Sequence, residues 1–329
     1  MSAAAHGVAA AVTCRGLTKR FPGPGGGVLA VDALDLAVPA GSIVGLLGPN
    51  GAGKTTALRL ITGLARATAG TVEIDGRTLG PDDLAGRRDI GVLDQAPRFY
   101  GWMRGRELVD FAARLAGLSP AAARVRSAVV LERVGLADAG GRRIAGYSGG
   151  MRQRLGIAAA LVAEPRLLVL DEPVSALDPE GRRDLLALIA ELRGSATVLF
   201  STHVLGDVER ICDRVGILAG GRLVEDAPLP DLLARFAADR FRVEPADGQA
   251  TAVEALATRL SAAAWCTGLE RDGSTLVVGV AEDSADRLLP EIVAAGLRIE
   301  RFERVQPTLE DVFLQLVGRR GPSGPGAGG

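Results

Sequence analysis

The stretch Gly48-Pro49-Asn50-Gly51-Ala52-Gly53-Lys54-Thr55-Thr56 has the spacing of a phosphate-binding loop, G-x-x-x-x-G-K-[ST], with the apolar run "SIVGLLG" leading into it. Its glycines let successive backbone amides curl around phosphate oxygens, and the dipole of a following helix adds positive potential. Lys54 is placed to reach β- and γ-phosphates, and the hydroxyl of Thr55 to ligate Mg²⁺. The plainer alternative is a glycine-rich turn with an incidental lysine. Lysine is rare here, however: of 38 Lys plus Arg, only Lys19 and Lys54 are lysine, leaving 36 arginines. With the excess of Ala and Gly this marks a drift towards GC-rich codons. A lysine that escapes that drift inside a glycine-rich loop stands out.

The run "LLVLDEP" ends an apolar strand in two carboxylates, which is costly unless they have work at the strand's end. Asp171 suits Mg²⁺, held through water. Glu172 suits orienting and deprotonating an attacking water, as phosphoryl transfer to water requires. An acidic cap on the next helix is the bland alternative. Gln95 closes the strand "IGVLDQ", where an amide reaches both Mg²⁺ and the nucleophilic water; alone, most such glutamines merely solvate a strand end. His203 ends "LFSTH". A lone histidine is more often a satisfied surface or core residue, but the strand order sets this one at the same sheet edge as Lys54 and Glu172, where it donates to a γ-phosphate. Phe21, between "LTKR" and "PGPGGG", is either a stacking surface for an adenine ring or a core aromatic. "YSGGMRQRL" reads as a loop entering a helix whose first amides suit an anion. Taken alone, Ser148 with Gly149 and Gly150 is an ordinary N-cap with glycine neighbours.

These groups need a frame. "VTCRGLTKRF" and "VLAVDALDLAVP" are strand-like, with Leu34, Leu36 and Val38 on one face at period two. "SIVGLLG" is a buried strand, and Thr55 to Gly63 the helix after the loop. "GTVEIDG" and "DIGVLDQ" are further strands. Residues 106–164 change character: "RELVDFAARLAGL" sets Leu108, Phe111, Ala112 and Leu115 on one helical stripe, and Ser119-Pro120 opens a helix that Gly135 stops. Alternation then returns, with "RLLVLDEP", a helix from Asp178, "ATVLFSTH", a helix to Arg214, and "VGILAGGRLVED". Helices alternating with apolar strands predict an α/β fold around a mainly parallel sheet covered on both faces. From about Phe236 a second unit reads strand 240–244, helix 249–263, strands 265–271 and 274–280, helix 284–295, strand 297–304 and helix 308–317. That β-α-β-β-α-β order predicts a small α+β ferredoxin-like plait.

Bulk properties bound the function. With 329 residues and a net charge of −1, no global field favours nucleic acid or anionic lipid. No apolar run nears the ~20 residues a bilayer span needs, and the start lacks the pattern of a signal peptide. Cys14, Cys212 and Cys266 are isolated and odd in number, which argues against a disulfide framework or a zinc knuckle. The expectation is a soluble, cytosolic chain, with residues 1–11 as a disordered arm and 319–329 as a disordered tail.

In its ordered set of motifs, "GPNGAGKTT", Gln95, "YSGGM", "LLVLDEP", "SALD" and "STH", the chain resembles the nucleotide-binding subunits of ATP-binding-cassette (ABC) transporters over about residues 12–235. The "SGGM" signature between Gln95 and the acidic strand is the most specific of these. The resemblance implies a P-loop NTPase (RecA-like) core, with an antiparallel β subdomain and a helical signature subdomain at about 96–164. It implies ATP and Mg²⁺, and two subunits paired head to tail, with a homodimer expected. Each ATP then lies between one chain's Lys54 loop and the other's Ser148, Gly149 and Gly150. This reverses the N-cap reading, and Asp178 of "SALD" faces the partner. A separate polytopic membrane permease is implied too, docking on "APRFYGWMRGRE", so the chain sits on the cytoplasmic face of the plasma membrane and touches it through the permease only. Tyr147 where Leu is common and Met151 where Gln is common resemble the exporter subgroup whose ATPase is a separate chain. Asp94 where Pro is common, and the absence of "LT" before Arg106-Glu107, leave the partner's identity open. The C-terminal unit (236–318), with Leu309, Val312, Phe313 and Leu316 on one stripe of "PTLEDVFLQLVG", looks like that subgroup's extension.

The function expected is therefore ATP hydrolysis that energises export of a small molecule, a drug, antibiotic or lipid, through a separate membrane subunit. A non-transport ABC ATPase of translation or DNA repair is the alternative. Such chains usually carry two cassettes, a long coiled coil or basic nucleic-acid surfaces, and this one has a single signature, no heptads and no basic excess. A regulatory nucleotide-binding module without turnover is disfavoured by the presence of Glu172, His203 and the signature together.

Overall fold

The structure is a computed structural model in which residues 9–80, 83, 85–236, 239–281, 283–305 and 307–318 are described. Residues 1–8 of the expected arm and the expected tail, 319–329, lie outside them. The chain divides between Leu229 and Pro230 into two compact units.

In the first unit the phosphate loop joins β3 (Ile43–Leu47) to α1 (Lys54–Ile61). Every residue of β3 is buried, as a strand flanked by parallel neighbours requires. Before β3 run β1 (Ala10–Phe21) and β2 (Val28–Pro39), which pair antiparallel. With β4 (Ala69–Ile74) and β5 (Arg77–Thr78) they form a four-stranded sheet in the order β2-β1-β4-β5. Leu34, Leu36 and Val38 are buried together with Val12, Cys14 and Leu17, so the period-two reading holds. Ala10 and Ala11, expected in the arm, belong to β1: Ala10 pairs with Pro39, and Ala11 is buried with its carbonyl accepting from the Asp75 amide at 2.9 Å. Alanine composition alone does not reveal such a backbone partner.

The second sheet holds β6 (Ile90–Leu93), β7 (Leu167–Asp171), β8 (Thr197–Thr202), β9 (Arg214–Ala219) and β10 (Arg222–Pro228), in the order β10-β9-β3-β8-β7-β6. All neighbours are parallel except the β9–β10 hairpin, whose Gly220-Gly221 turn uses φ of 58° and 81° at both central positions. Between β6 and β7 stand α2 (Gly105–Leu115), α3 (Pro120–Arg133) and α4 (Gly149–Leu161). Ser119 caps α3 by accepting from the Ala122 amide, and Gly135 leaves the helix at φ 69°. The buried face of α2 is Val109 and Ala113. The stripe expected inside is thus offset: Leu108 and Ala112 are half-buried, while Phe111 and Leu115 are 53% and 71% exposed. Ala112, Leu115 and Phe99 line an open groove of about 910 Å³ beside β6 and α4. After β7 come α5 (Pro179–Ala190), capped by Asp178, and α6 (Leu205–Ile211). The latter is shorter than expected, because Arg214 opens β9 and its guanidinium donates to Asp226 across the hairpin at 2.6 Å.

In the second unit, α7 (Leu229–Arg235) begins at the division, ahead of the composition shift near Phe236, because residues 230–235 belong to the second compact unit. Then come β11 (Asp239–Pro245), α8 (Ala250–Ala262), β12 (Cys266–Asp272), β13 (Thr275–Val280), α9 (Leu288–Ala294), β14 (Ile299–Arg304) and α10 (Leu309–Gly318). The sheet order β12-β13-β11-β14, antiparallel throughout, is that of the ferredoxin-like plait. Its core joins Val243, Leu276 and Val278 to Val253, Leu256 and Leu260 of α8 and Ile292 of α9. The other sheet face carries ion pairs instead: Arg240–Glu270, Arg242–Glu303 and Arg301–Glu244.

Candidate active site

Parallel strands bring the chemistry to one sheet edge. The loop's shape is set by main chain. Gly48 (φ 156°) and Gly53 (φ 100°) sit where a Cβ would overlap the carbonyl oxygens of Leu218 and Ala30 respectively. Gly51 has φ 79°, and the Gly221 amide donates to Ala52 O at 3.1 Å. Pro49, Asn50 and Gly51 form the exposed rim, while Ala52 and Lys54 are buried and Thr55 and Thr56 half-buried on the first turn of α1. Lys54 Nζ donates to Gly48 O at 2.7 Å and Pro49 O at 3.2 Å, so the ammonium is gathered inside its own loop. Burial pulls its pKa below the usual lysine value, with the negative charges of Glu172 and Asp171 opposing.

Asp171 and Glu172 leave the end of β7. Register sets Asp171 beside Ser201 of β8, whose hydroxyl donates to Asp171 Oδ1 at 2.5 Å. The same hydroxyl accepts from the Glu172 amide at 3.0 Å. Asp171 Oδ2 is buried with no hydrogen-bond partner. An orphaned carboxylate oxygen at a phosphate-loop edge fits Mg²⁺, which takes a few protein oxygens and completes its shell with phosphates and water. Asp171, the Thr55 hydroxyl and the amide oxygen of Gln95 are the residues that would hold it.

Glu172 is 9% exposed and has φ 47°, the left-handed region a non-glycine residue enters at a cost of about 1–3 kcal/mol. Its carbonyl accepts from Gln153 Nε2 at 3.3 Å and Ser175 Oγ at 3.1 Å, which holds the backbone there. The carboxylate is gripped on both oxygens: Gln95 Nε2 donates to Oε2 at 3.2 Å, and His203 Nδ1 lies 3.2 Å from Oε1. The structure thus brings together Gln95, Asp171, Glu172 and His203. Ser201, Gln153 and Ser175 join them; Ser201 and Ser175 open the "STH" and "SALD" motifs, but the sequence singles out neither as a site residue. The signal for Ser201 is the adjacency of "LLVLDEP" and "LFST" as neighbouring strands.

Ser148, Gly149 and Gly150 stand elsewhere, at the start of α4, where Ser148 and Gly149 are exposed and Ser148 Oγ accepts from the Met151 amide at 3.2 Å. Added Cβ atoms at Gly149 and Gly150 would meet Ala176 and Leu177, so the signature lies beside the loop that carries Asp178. Asp178 caps α5 through the Gly181 amide at 3.0 Å. Phe21, 42% exposed, is not a core aromatic; Lys19 Nζ lies over its ring at 5.0 Å.

A parallel sheet with a glycine loop at one strand end and an acid pair at another defines a P-loop nucleoside triphosphatase. Comparison with known proteins narrows this. The ABC transporter family model matches residues 31–175, and that of the ATP-binding protein DrrA1-3-like C-terminal domain matches 228–317. An uncharacterized ABC transporter ATP-binding protein of Bacillus subtilis (strain 168), YxlF, is 41% identical over 88% of this chain and 94% of its own length. The daunorubicin resistance ATP-binding protein DrrA3 of Streptomyces coeruleorubidus is 36% identical over 94% of this chain and 96% of its own. Among solved structures, the ATP-binding cassette MJ0796, a dimer in a post-hydrolysis state bound to ADP and Pi, superposes with a TM-score of 0.63 at 28% identity, over 66% of this chain and 98% of that one. The chain belongs to the ATP-binding subunits of ABC transporters. It is an ATPase that uses ATP with Mg²⁺, and subunits of this family dimerise and work with a membrane permease. The translation or DNA-repair alternative is not favoured. No described helix is long and apolar enough to cross a membrane.

Proposed function

We infer that this chain hydrolyses ATP with Glu172 as the general base and, as a homodimer on the cytoplasmic face of the membrane, energises export of a small hydrophobic molecule through a separate permease. One observation carries the hydrolytic reading: a buried, strained carboxylate held between Gln95 and His203 at 3.2 Å on each oxygen, next to the orphaned oxygen of Asp171. Bound Mg²⁺ would neutralise charge on the β- and γ-phosphate oxygens. Lys54 leaves its loop carbonyls for those phosphates, and the amides of Asn50, Gly51 and Gly53 cradle them. A water enters by displacing one contact on Glu172 and gives a proton to the freed oxygen as its own oxygen bonds to the γ-phosphorus. The bond from that phosphorus to the β–γ bridging oxygen breaks, and the electron pair leaves on ADP, while Gln95 and His203 keep the water in line. Phe21 supplies a face for the adenine ring.

Ser148 and the amides of Gly149 and Gly150 take the γ-phosphate bound to a second copy, and Asp178 faces that copy. The groove beside Phe99, Ala112 and Leu115, which Arg59, Arg98 and Asp94 also line, with Tyr100 and Trp102 exposed next to it and their rings 5.8 Å apart, suits an amphipathic permease helix. The export assignment is supported by the name and full-length similarity of the daunorubicin resistance relative.

The test uses Glu172→Gln. Turnover should fall by a factor of about 10²–10⁴, the usual worth of a positioned base. Tagged Glu172→Gln, incubated with membranes, ATP and Mg²⁺, should retain a polytopic membrane protein. Recovery with ribosomes or nucleic acid instead would overturn the transport reading.

A further inference from the structure

Tyr147 precedes the signature serine, yet it is 3% exposed while Ser148 and Gly149 are exposed. Its hydroxyl donates to Ala139 O at 2.7 Å. Its carbonyl accepts from Arg152 Nη1, one turn into α4, at 2.6 Å. Its ring closes over Gly105, the first residue of α2, where an added Cβ would overlap the hydroxyl oxygen. Around this point two segments are stitched together by main chain. Gly105 N donates to Arg142 O at 3.2 Å, Arg106 N to Gly140 O at 2.8 Å, Ile144 N to Met103 O at 2.9 Å and Ala145 N to Gly101 O at 3.0 Å.

We propose that Tyr147 is a positioning residue whose phenol, seated on Gly105 and bonded to Ala139, fixes the turn that presents Ser148, Gly149 and Gly150 to the nucleotide of a second chain. This rests on the reading that Ser148 acts across a dimer. The residues that meet the anion are small and form the cap and first turn of α4, and the buried side chain next to them, Tyr147, is what ties that turn to α2. Tyr147 has the only ring in the stretch 140–150, and it is tied to α2 at Gly105, to the turn at Ala139 and, through its carbonyl, to α4 at Arg152. A leucine of similar bulk would fill the space without the bond to Ala139. The segment stitched to it also bears the exposed Trp102, so a push there reaches Ser148 through Gly105 and Tyr147.

The experiment uses the full chain carrying Glu172→Gln, with and without Tyr147→Phe, and reads two quantities. The first is binding of trinitrophenyl-ATP with Mg²⁺ at protein concentrations where the chain is monomeric. The second is the ATP concentration giving half-maximal dimer by sedimentation. With Tyr147→Phe we expect unchanged analogue binding and a rise of about tenfold in the ATP needed for dimerisation, since both symmetric sites lose one ordering hydrogen bond. Gly105→Ala should weaken dimerisation at least as much by lifting the phenol, and adding Tyr147→Phe to it should recover part of the loss. Dimerisation at an unchanged ATP concentration overturns the proposal. So does a parallel loss of analogue binding, which would make Tyr147 merely structural. If Glu172→Gln alone does not dimerise with ATP, the reading of Ser148 fails and the proposal fails with it.

Discussion

A single serine hydroxyl, Ser201, bonds both acidic residues of the site: it donates to Asp171 at 2.5 Å and accepts from the Glu172 amide at 3.0 Å. Ser201→Ala should therefore cost about 1–3 kcal/mol of stability in urea unfolding, the worth of a charge-assisted bond lost inside protein, and raise the Mg²⁺ concentration needed for turnover. Lys54 makes a second prediction. Burial holds its pKa low, and bound polyphosphate must raise it, so the ATP complex holds more protons than the free chain at alkaline pH. By linkage, affinity falls as pH rises through the depressed Lys54 pKa. ATP titrations from neutral to alkaline pH should show that fall, and a flat profile would contradict it. Lys54, Asp171 and Glu172 are legible in the sequence because each sits in a contiguous motif. Ser201 also opens a motif, "STH", but its bond to Asp171 is not legible there, because it comes from strand register. Nor is the part played by Tyr147 in the fold, which depends on a glycine 42 residues away.

At the scale of elements, α5 and α6 are joined by one pair: Arg182 donates twice to Asp207 Oδ1, at 2.8 and 2.6 Å. Asp207 is 3% exposed and its other oxygen has no partner. Arg182→Ala would leave that carboxylate buried and alone, at about 3–5 kcal/mol. Adding Asp207→Asn should return part of the loss, and denaturant midpoints of the single and double variants would show it. Most elements can be read from periodicity, caps and glycines. The exception is α2. Its stripe is apolar, as its sequence says, but it is not core, because a helix that leaves a groove open has two apolar faces and periodicity does not rank them.

At the scale of the molecule, two units have separate cores. Leu256→Ala, at a fully buried site of the second core, should destabilise that unit by about 2–5 kcal/mol. ATP affinity, set within the first unit, should not move. Calorimetry together with ATP titration would test both halves, and a matching loss of affinity would count against the separation. The plait is legible from element order alone, since short alternating segments admit few topologies. Where the chain divides is not, because nothing in the composition of residues 229–235 marks which unit they join.

Gly48 and Gly53 rest against the carbonyls of Leu218 and Ala30, and the Gly220-Gly221 turn reaches Ala52 through its amide while Gly221 O receives the Asp32 amide at 2.8 Å. None of these partners uses a side chain. The support of the loop at positions 30 and 218 therefore comes from their carbonyls, and it is sensitive to how many residues separate them from their turns, although the Leu218 side chain has its own place in the core. A single inserted or deleted residue in the hairpin that follows β9 would misplace the loop's support even with every one of these residue types kept.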